Sequence, residues 1–180
     1  SPAFACMLCQ RADEMESLTF DQRKYIGKQA SLIWGYFRDT LTEENNFLPP
    51  DNVQIDPPTG AARRTSPTNI GLSLLSCLAA EDMGLVREGE GLSLAEKTVD
   101  TVISMKKWHG HLYNWYSTEN LKVMAPEYIS TVDSGNLLGC LIALKEELRK
   151  RKLWDFFKKV QGLIDEMDFG KLYDKKAKLF

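Results

Sequence analysis

The sequence predicts an all-α protein built from αα-hairpins, and three observations carry that prediction. Helical segments with a single apolar face alternate with segments that are apolar almost all round. Each all-round segment follows a polar loop rich in capping residues, Thr65-Ser66-Pro67-Thr68-Asn69 in the first case and Thr131-Val132-Asp133-Ser134-Gly135-Asn136 in the second. This unit of long loop plus capped apolar helix recurs once, with no short repeat of the kind that builds a solenoid. Inner helices wrapped by outer ones produce such an alternation, as in an αα-toroid with long polar loops at the cavity end. A closed ring of six hairpins needs about a dozen helices, and the pattern here supplies five.

Taken in order, Asp21 to Leu41 places Ile26, Ala30, Ile33, Trp34, Phe37 and Leu41 at helical spacing on one face. Residues 42–64 hold four of the seven prolines among Asn, Asp and Glu, which reads as a loop. Its length exceeds the usual unstructured connection, so packing or function must order it. Residues 67–83 form a helix with no polar face, capped by Ser66, opened by Pro67 and ended by Gly84. Ser93 to Lys107 is amphipathic, with Leu94, Thr98, Val99, Val102 and Met105 on its apolar side. Asp133 to Arg149, capped by Asp133 or Ser134, opens with the apolar run Leu137 to Leu144 and belongs inside. Leu153 to Met167 returns outside, with Trp154, Phe157, Val160, Ile164 and Met167 on one side. Both inner helices direct positively polarised N-termini at whatever the loops enclose.

Composition narrows the function classes. The 180 residues suffice for one domain with a real core, and 43% hydrophobic content is ordinary for a globular chain. A formal net charge of -2 argues against a nucleic-acid partner held by bulk electrostatics, and the basic run Lys145 to Lys152 reads as a solvated helix end. Of the four cysteines, Cys77 and Cys140 fall inside apolar helices and act as small hydrophobes. Cys6 and Cys9 form a lone CxxC, without the four ligands of a zinc site or the βαβ setting of a redox motif. The expected compartment is reducing. No run of 18 or more apolar residues is present, and the start lacks the features of a signal peptide. A chain that begins Ser1-Pro2 reads as a piece of something longer.

Three segments carry candidate chemistry. Thr42 to Gln54 sets Asn45, Asn46, Asp51 and Asn52 on a proline-stiffened loop, and short amides and carboxylates held at low entropic cost are what sugar hydroxyls require. The same residues also satisfy turns. Trp108 to Tyr116 gathers aromatics beside Asn114, His109 and His111, which suits either a glycan cleft, where aromatic faces stack on sugar C–H surfaces, or packing. An HxH pair supplies two metal ligands without a third, so no metal site is assigned. Arg63 and Arg64 fit an anion or a carboxylate partner equally. Glycoside chemistry needs two carboxyl groups about 5–5.5 Å apart for retention or roughly 6.5–9.5 Å apart for inversion. Glu44, Asp51, Glu119, Glu127 and Asp133 are candidates by loop position, and no spacing pairs any two.

The motifs ENNFLPPDNVQ (44–54), RRTSPTNIGLSLLS (63–76), GHLYNWY (110–116), PEYISTVDSGNLLG (126–139) and MDFGKLYDKKAKLF (167–180) together resemble the glycoamylase-like, cyclising domain of cyclic β-1,2-glucan synthases. The likeness runs from about Trp34 onward, and Ser1-Pro2-Ala3-Phe4-Ala5 looks like the exit from the last membrane helix of that family. There a membrane-bound glycosyltransferase makes linear β-1,2-glucan from UDP-glucose. The glycoamylase-like domain, an (α/α)6 toroid, then closes the glucan by retaining transglycosylation, and a phosphorylase-like domain follows.

The resemblance implies that residues 1–15 are a membrane-proximal or linker segment and that 16–180 are the N-terminal portion of the toroid. It implies location on the cytoplasmic face of the inner membrane as part of a membrane protein, the segment itself being soluble. The implied partners are β-1,2-glucan and the remainder of the parent enzyme, with self-association of the isolated piece through uncovered inner helices; no cofactor, metal or nucleic acid is implied. A substrate-lining role passes to Asn45, Asn46, Asp51, Asn52, Arg64, Thr65, Ser66, Asn69, His111, Asn114, Trp115, Tyr116, Asp133, Ser134 and Asn136. The catalytic carboxylates do not carry over, because in the family they lie beyond the segment that ends at Phe180, so the fragment alone is expected to be inactive. Cys6-Met7-Leu8-Cys9 departs from the aromatic stretch usual there. The rival readings are a non-catalytic glycan-binding module and a helical protein-interaction scaffold.

Overall fold

The computed structural model describes residues 17–178. Cys6, Cys9 and the 1–15 segment lie outside the described residues, as do Leu179 and Phe180. Five α-helices order the described part: α1 (Phe20–Thr40), α2 (Pro67–Asp82), α3 (Glu90–Ser104), α4 (Thr131–Lys150) and α5 (Trp154–Glu166). Six two-residue strands pair in three antiparallel ladders: β1 (Val53–Gln54) with β2 (Gly60–Ala61), β3 (Arg64–Thr65) with β6 (Tyr116–Ser117), and β4 (Lys107–Trp108) with β5 (His111–Leu112). No described helix is long and apolar enough to cross a membrane.

The all-round apolar helices are inner, as their pattern requires. The largest interface is α2 against α4, with α3 laid on α2 and α5 on α4. The two inner helices run parallel, because their ends meet pairwise. At the N-terminal ends the Thr68 hydroxyl donates to Asp133 at 2.5 Å; at the other end Arg151 pairs with Asp82 at 2.7 Å. Ile70, Leu74, Leu137, Leu141, Leu144 and Leu148 of these helices are buried in one core.

The turns explain themselves locally. Thr19 and Gln22 form a reciprocal capping box at the start of α1. Ser66 caps α2, accepting from the Asn69 N–H, with Pro67 at the first helical position. Residues 42–64 are ordered by a 3₁₀ turn at Glu43–Asn45, by the β1–β2 ladder and by the Tyr36 hydroxyl, which donates to the Pro50 carbonyl.

Four expectations need correction. The cap of α4 is Ser130, extended at φ -89° and ψ 120°, whose Oγ accepts from the Asp133 N–H at 3.2 Å; Asp133 and Ser134 therefore lie inside the first turn. α3 starts at Glu90 and ends at Ser104, because the Glu81 carboxylate of α2 reaches the N–H groups of Gly89 and Gly91 and serves as its cap. On α5 the fully buried residues are Phe156, Val160 and Leu163, with Phe157, Ile164 and Met167 partly buried against the core, so of the expected face Trp154 alone stands half in solvent. On α1, Trp34 is buried and Phe37 partly so, yet Ile26 and Ile33 are exposed, since the contact with α2 is confined to its C-terminal half.

Candidate functional site

The N-terminal ends of α2 and α4 lie side by side, and the loops that precede them bring polar side chains onto that end. Asp133, in the first turn of α4, engages both oxygens: Oδ1 accepts from Thr68 and Oδ2 lies 3.2 Å from the Asn114 amide nitrogen. The Asn114 amide is oriented by its neighbours, since its oxygen faces two donors, Trp115 Nε1 at 2.5 Å and the Tyr128 hydroxyl at 2.6 Å. Asn136 Nδ2 donates to Thr68 Oγ1 at 3.0 Å. The Arg64 guanidinium lies over the Trp115 ring at 4.4 Å from its centroid and pairs with Asp51 at 2.9 Å. Asn52 and Asn69 amides approach the same carboxylate at 3.2 and 3.4 Å.

Eight of the fifteen sequence-derived residues thus form one connected network: Asp51, Asn52, Arg64, Asn69, Asn114, Trp115, Asp133 and Asn136. It borders a cleft of about 270 Å³ lined by Tyr36, Phe37, Pro50, Asp51, Asn69 and Leu72 among others. Burial, and next the Asp51 charge, push the Tyr36 phenol above its ordinary range. A larger hollow of about 520 Å³ lies between α3 and α5 at the far end of the bundle, where no such network converges.

The other seven residues serve the scaffold around it. Asn45 and Asn46 spend their amides on main-chain carbonyls of Thr40 and Thr118, which staples the first loop to the aromatic one. Ser66 is the α2 cap. Tyr116 is fully buried, donating to the Lys106 carbonyl at 2.6 Å and accepting from the Tyr113 N–H at 2.8 Å, and burial raises its phenol well above the ordinary range. Thr65, Ser134 and His111 are buried with side-chain polar atoms that have no hydrogen-bond partner. His111 sits edge-on to Phe169, beside Gly110, whose φ of +79° and contact with the Glu166 carbonyl leave no room for a Cβ. His109 lies against Trp108, and among the described residues no three His, Cys, Asp or Glu side chains converge on a metal position.

The candidate carboxylates are all engaged, Glu44 and Glu119 by one shared guanidinium. Arg63 holds Glu44 at 2.8 Å and Glu119 at 2.9 Å, Lys106 holds Glu127 at 2.8 Å, and Arg64 holds Asp51. Both arginines therefore take carboxylates. Thr68, Tyr128 and Tyr36 are members that sequence reasoning missed. Thr68 and Tyr128 fall inside quoted motifs, but their partners are 65 residues and more than a helix turn away, which no spacing reveals.

No family model matches the chain. It is 43% identical over 152 residues, 83% of its own length, to the cyclic β-(1,2)-glucan synthase NdvB of Rhizobium meliloti (strain 1021), of which it spans 5%. Its fold is that of larger solved proteins. It superposes with TM-score 0.71 and 16% identity on an endo-β-1,2-glucanase from Chitinophaga pinensis, solved with sophorotriose and glucose, covering 85% of this chain and 38% of that one. A glucoamylase-like protein from Bacteroides fragilis gives TM-score 0.70 at 21% identity over 88% of this chain and 39% of that one. A β-1,2-glucanase from Parabacteroides distasonis gives 0.64 at 17% identity, over 82% and 21%. Over most of its length, then, the chain is a relative of one short segment of a cyclic β-(1,2)-glucan synthase, and it carries part of a glucoamylase-like (α/α)6 toroid.

Proposed function

We propose that residues 16–180 form the N-terminal part of a toroid that processes β-1,2-glucan, lining one side of the glucan cleft in a domain that cyclises the linear polymer by transglycosylation. The observation that carries this reading is the network from Asp51 through Arg64, Trp115 and Asn114 to Asp133, set at the N-terminal ends of paired inner helices beside an open cleft. Fixed amides, a carboxylate, a guanidinium and an aromatic ring are the groups with which proteins hold sugars. The sequence relative is a cyclic β-(1,2)-glucan synthase, and two of the structural relatives are β-1,2-glucanases.

The chain's own contribution is binding. Each candidate carboxylate is engaged by a cation or hydrogen-bond donor, and no acid and nucleophile pair is assigned among them. The chemistry belongs to the rest of the toroid, which would cover the faces of α1, α2 and α4 left open here; alone, the same faces favour self-association. In the parent protein, on this reading, residues 1–15 serve as a membrane-proximal or linker segment and the toroid lies on the cytoplasmic face of the inner membrane. Titration of the chain with linear β-1,2-gluco-oligosaccharides tests the reading, with β-1,3- and β-1,4-linked oligomers as controls. Saturable binding of the β-1,2 series without new rings or reducing ends is expected. Absence of binding at millimolar oligosaccharide, or equal binding of all three linkages, overturns it.

A further inference from the structure

The Asp133 carboxylate lies at the meeting point of the two inner helix N-termini, and neither oxygen meets a cation. Oδ1 accepts from Thr68 at 2.5 Å and Oδ2 from Asn114 Nδ2 at 3.2 Å. The Thr68 hydroxyl, having given its one proton to Asp133, accepts from Asn136 at 3.0 Å. The Asn114 oxygen takes the indole N–H of Trp115 and the hydroxyl of Tyr128, and the Asn114 backbone N–H donates to the Tyr128 carbonyl at 2.9 Å. Asn114 is 7% exposed, so its amide has little water to turn to.

The sense of this network is forced. An indole N–H only donates, so the Asn114 oxygen must face Trp115 and its NH2 must face position 133. Only an acceptor at 133 is compatible with that orientation, and a carboxylate, unlike an amide, is an acceptor on both oxygens. We propose that Asp133 is a positioning residue. It fixes the Asn114 amide, which fixes the Trp115 indole through Nε1, and the indole carries the Arg64 guanidinium that Asp51 holds on the cleft side. The carboxylate acts on the cleft without touching its ligand. That the ligand is a β-1,2-glucan rests on the proposed function; the network itself does not.

The alternative role, a carboxylate that contacts sugar or takes part in chemistry, makes a different demand. Asp133→Asn keeps the shape but only one acceptor. With that oxygen on Thr68 it sets NH2 against NH2 at Asn114; with the oxygen on Asn114 it turns its NH2 on Thr68, whose hydroxyl then takes two donors and loses the acceptor for its own proton. Turning the Asn114 amide only moves the conflict to Trp115. Exchanging the two residue types, Asp133→Asn with Asn114→Asp, restores every donor and acceptor with unchanged net charge. A positioning role survives that exchange. A direct role of the 133 carboxylate does not.

The test follows the Trp115 indole N–H in a ¹⁵N-tryptophan spectrum of the full chain, assigned among its four tryptophans by its loss in Trp115→Phe, alongside titration with a linear β-1,2-gluco-oligosaccharide. Asp133→Asn is expected to displace the Trp115 peak and weaken binding about fivefold or more, the scale of one lost hydrogen bond in a desolvated site. The exchange variant is expected to return the peak and bring affinity back to within about twofold of wild type. If Asp133→Asn leaves the peak in place while binding weakens, or the exchange variant fails to restore a displaced peak, the positioning role is overturned. If the peak returns and binding does not, the side chain at 133 or 114 meets the glucan directly and the proposal falls. If the peak follows the network in every variant while none, wild type included, binds glucan, the glucan reading falls and the positioning role stands. Should Asp133→Asn melt below the assay temperature, the exchange variant still decides, since it must fold and show the wild-type peak.

Discussion

Gly71 of α2 lies so close to Cys140 of α4 that a Cβ at position 71 would stand 2.9 Å from the Cys140 sulfur and 3.1 Å from its Cβ. The closeness of the inner helices, and with it the junction of Thr68 with Asp133, depends on this pair of small residues. Gly71→Ala adds helix propensity worth about 1 kcal/mol but overpacks the seam at a cost of roughly 1–3 kcal/mol. The variant is expected to melt lower, and Cys140→Ala in the same chain should remove most of the loss by making room for the methyl group. Equal melting temperatures for Gly71→Ala and wild type would show that the seam yields.

Glu81 gives a second prediction. Its side chain is 4% exposed, accepts the N–H groups of Gly89 and Gly91, the latter at 2.8 Å, and so caps α3 from the end of α2. A buried carboxylate at a helix N-terminus satisfies orphan donors and the positive end of the dipole together. Glu81→Ala should lose roughly 2–4 kcal/mol on chemical denaturation, since charged hydrogen bonds and their stranded donors both count. Its neighbour Asp82, 60% exposed and paired with Arg151 at 2.7 Å, should lose less than about 1 kcal/mol as Asp82→Ala. Equal losses would refute the capping role.

Much of this was legible in the sequence. Inner and outer helices separate because burial on most sides leaves no continuous polar face at 67–83 and an unbroken apolar run at 137–144. Ser66 and Pro67 mark their boundary for local reasons, and the structure keeps it. Where capping is not local the sequence is silent: Glu81 caps a helix that begins nine residues later, so the start at Glu90 left no signature. The cap of α4 failed for a different reason, since Ser130, Asp133 and Ser134 are all competent and only the extended backbone at Ser130 decides. At the site, residue types were readable and pairings were not. Asp133 and Thr68 are 65 positions apart, and nothing short of the parallel packing of α2 and α4 joins them.

Arg64 separates shape from charge. Its guanidinium stacks on Trp115 at 4.4 Å and meets Asp51 with Nε at 3.3 Å and Nη2 at 2.9 Å. A lysine keeps the charge but neither the planar face nor the fork. The pair is partly exposed, 45% for Arg64 and 23% for Asp51, so stability should change by less than about 1 kcal/mol. Glucan affinity of Arg64→Lys should fall severalfold. A large drop in melting temperature with unaltered affinity would assign Arg64 to the scaffold instead.

The last prediction concerns surfaces. On α4, Val132 is 73% and Ile142 43% exposed, with Gly135 and Gly139 on the same side and open space beyond both. Leu72 of α2 is 51% exposed, and Phe20, Leu32 and Ile33 of α1 stand 76, 63 and 62% in solvent. Apolar residues so grouped on helix faces, with glycines that admit close approach, are the faces on which a toroid seats further helices. In their absence the chain should bury them against a second copy. Sedimentation is expected to show association that strengthens from low to high micromolar concentration. Ile142→Lys on the inner helix should shift it toward monomer more than Ile33→Lys on the outer one, because the α4 face carries Gly135 and Gly139, which admit close approach. The charged variants should fold as wild type does, since both side chains reach solvent. A monomer throughout the range, or equal effects of the two substitutions, would leave the α4 face without the role assigned to it.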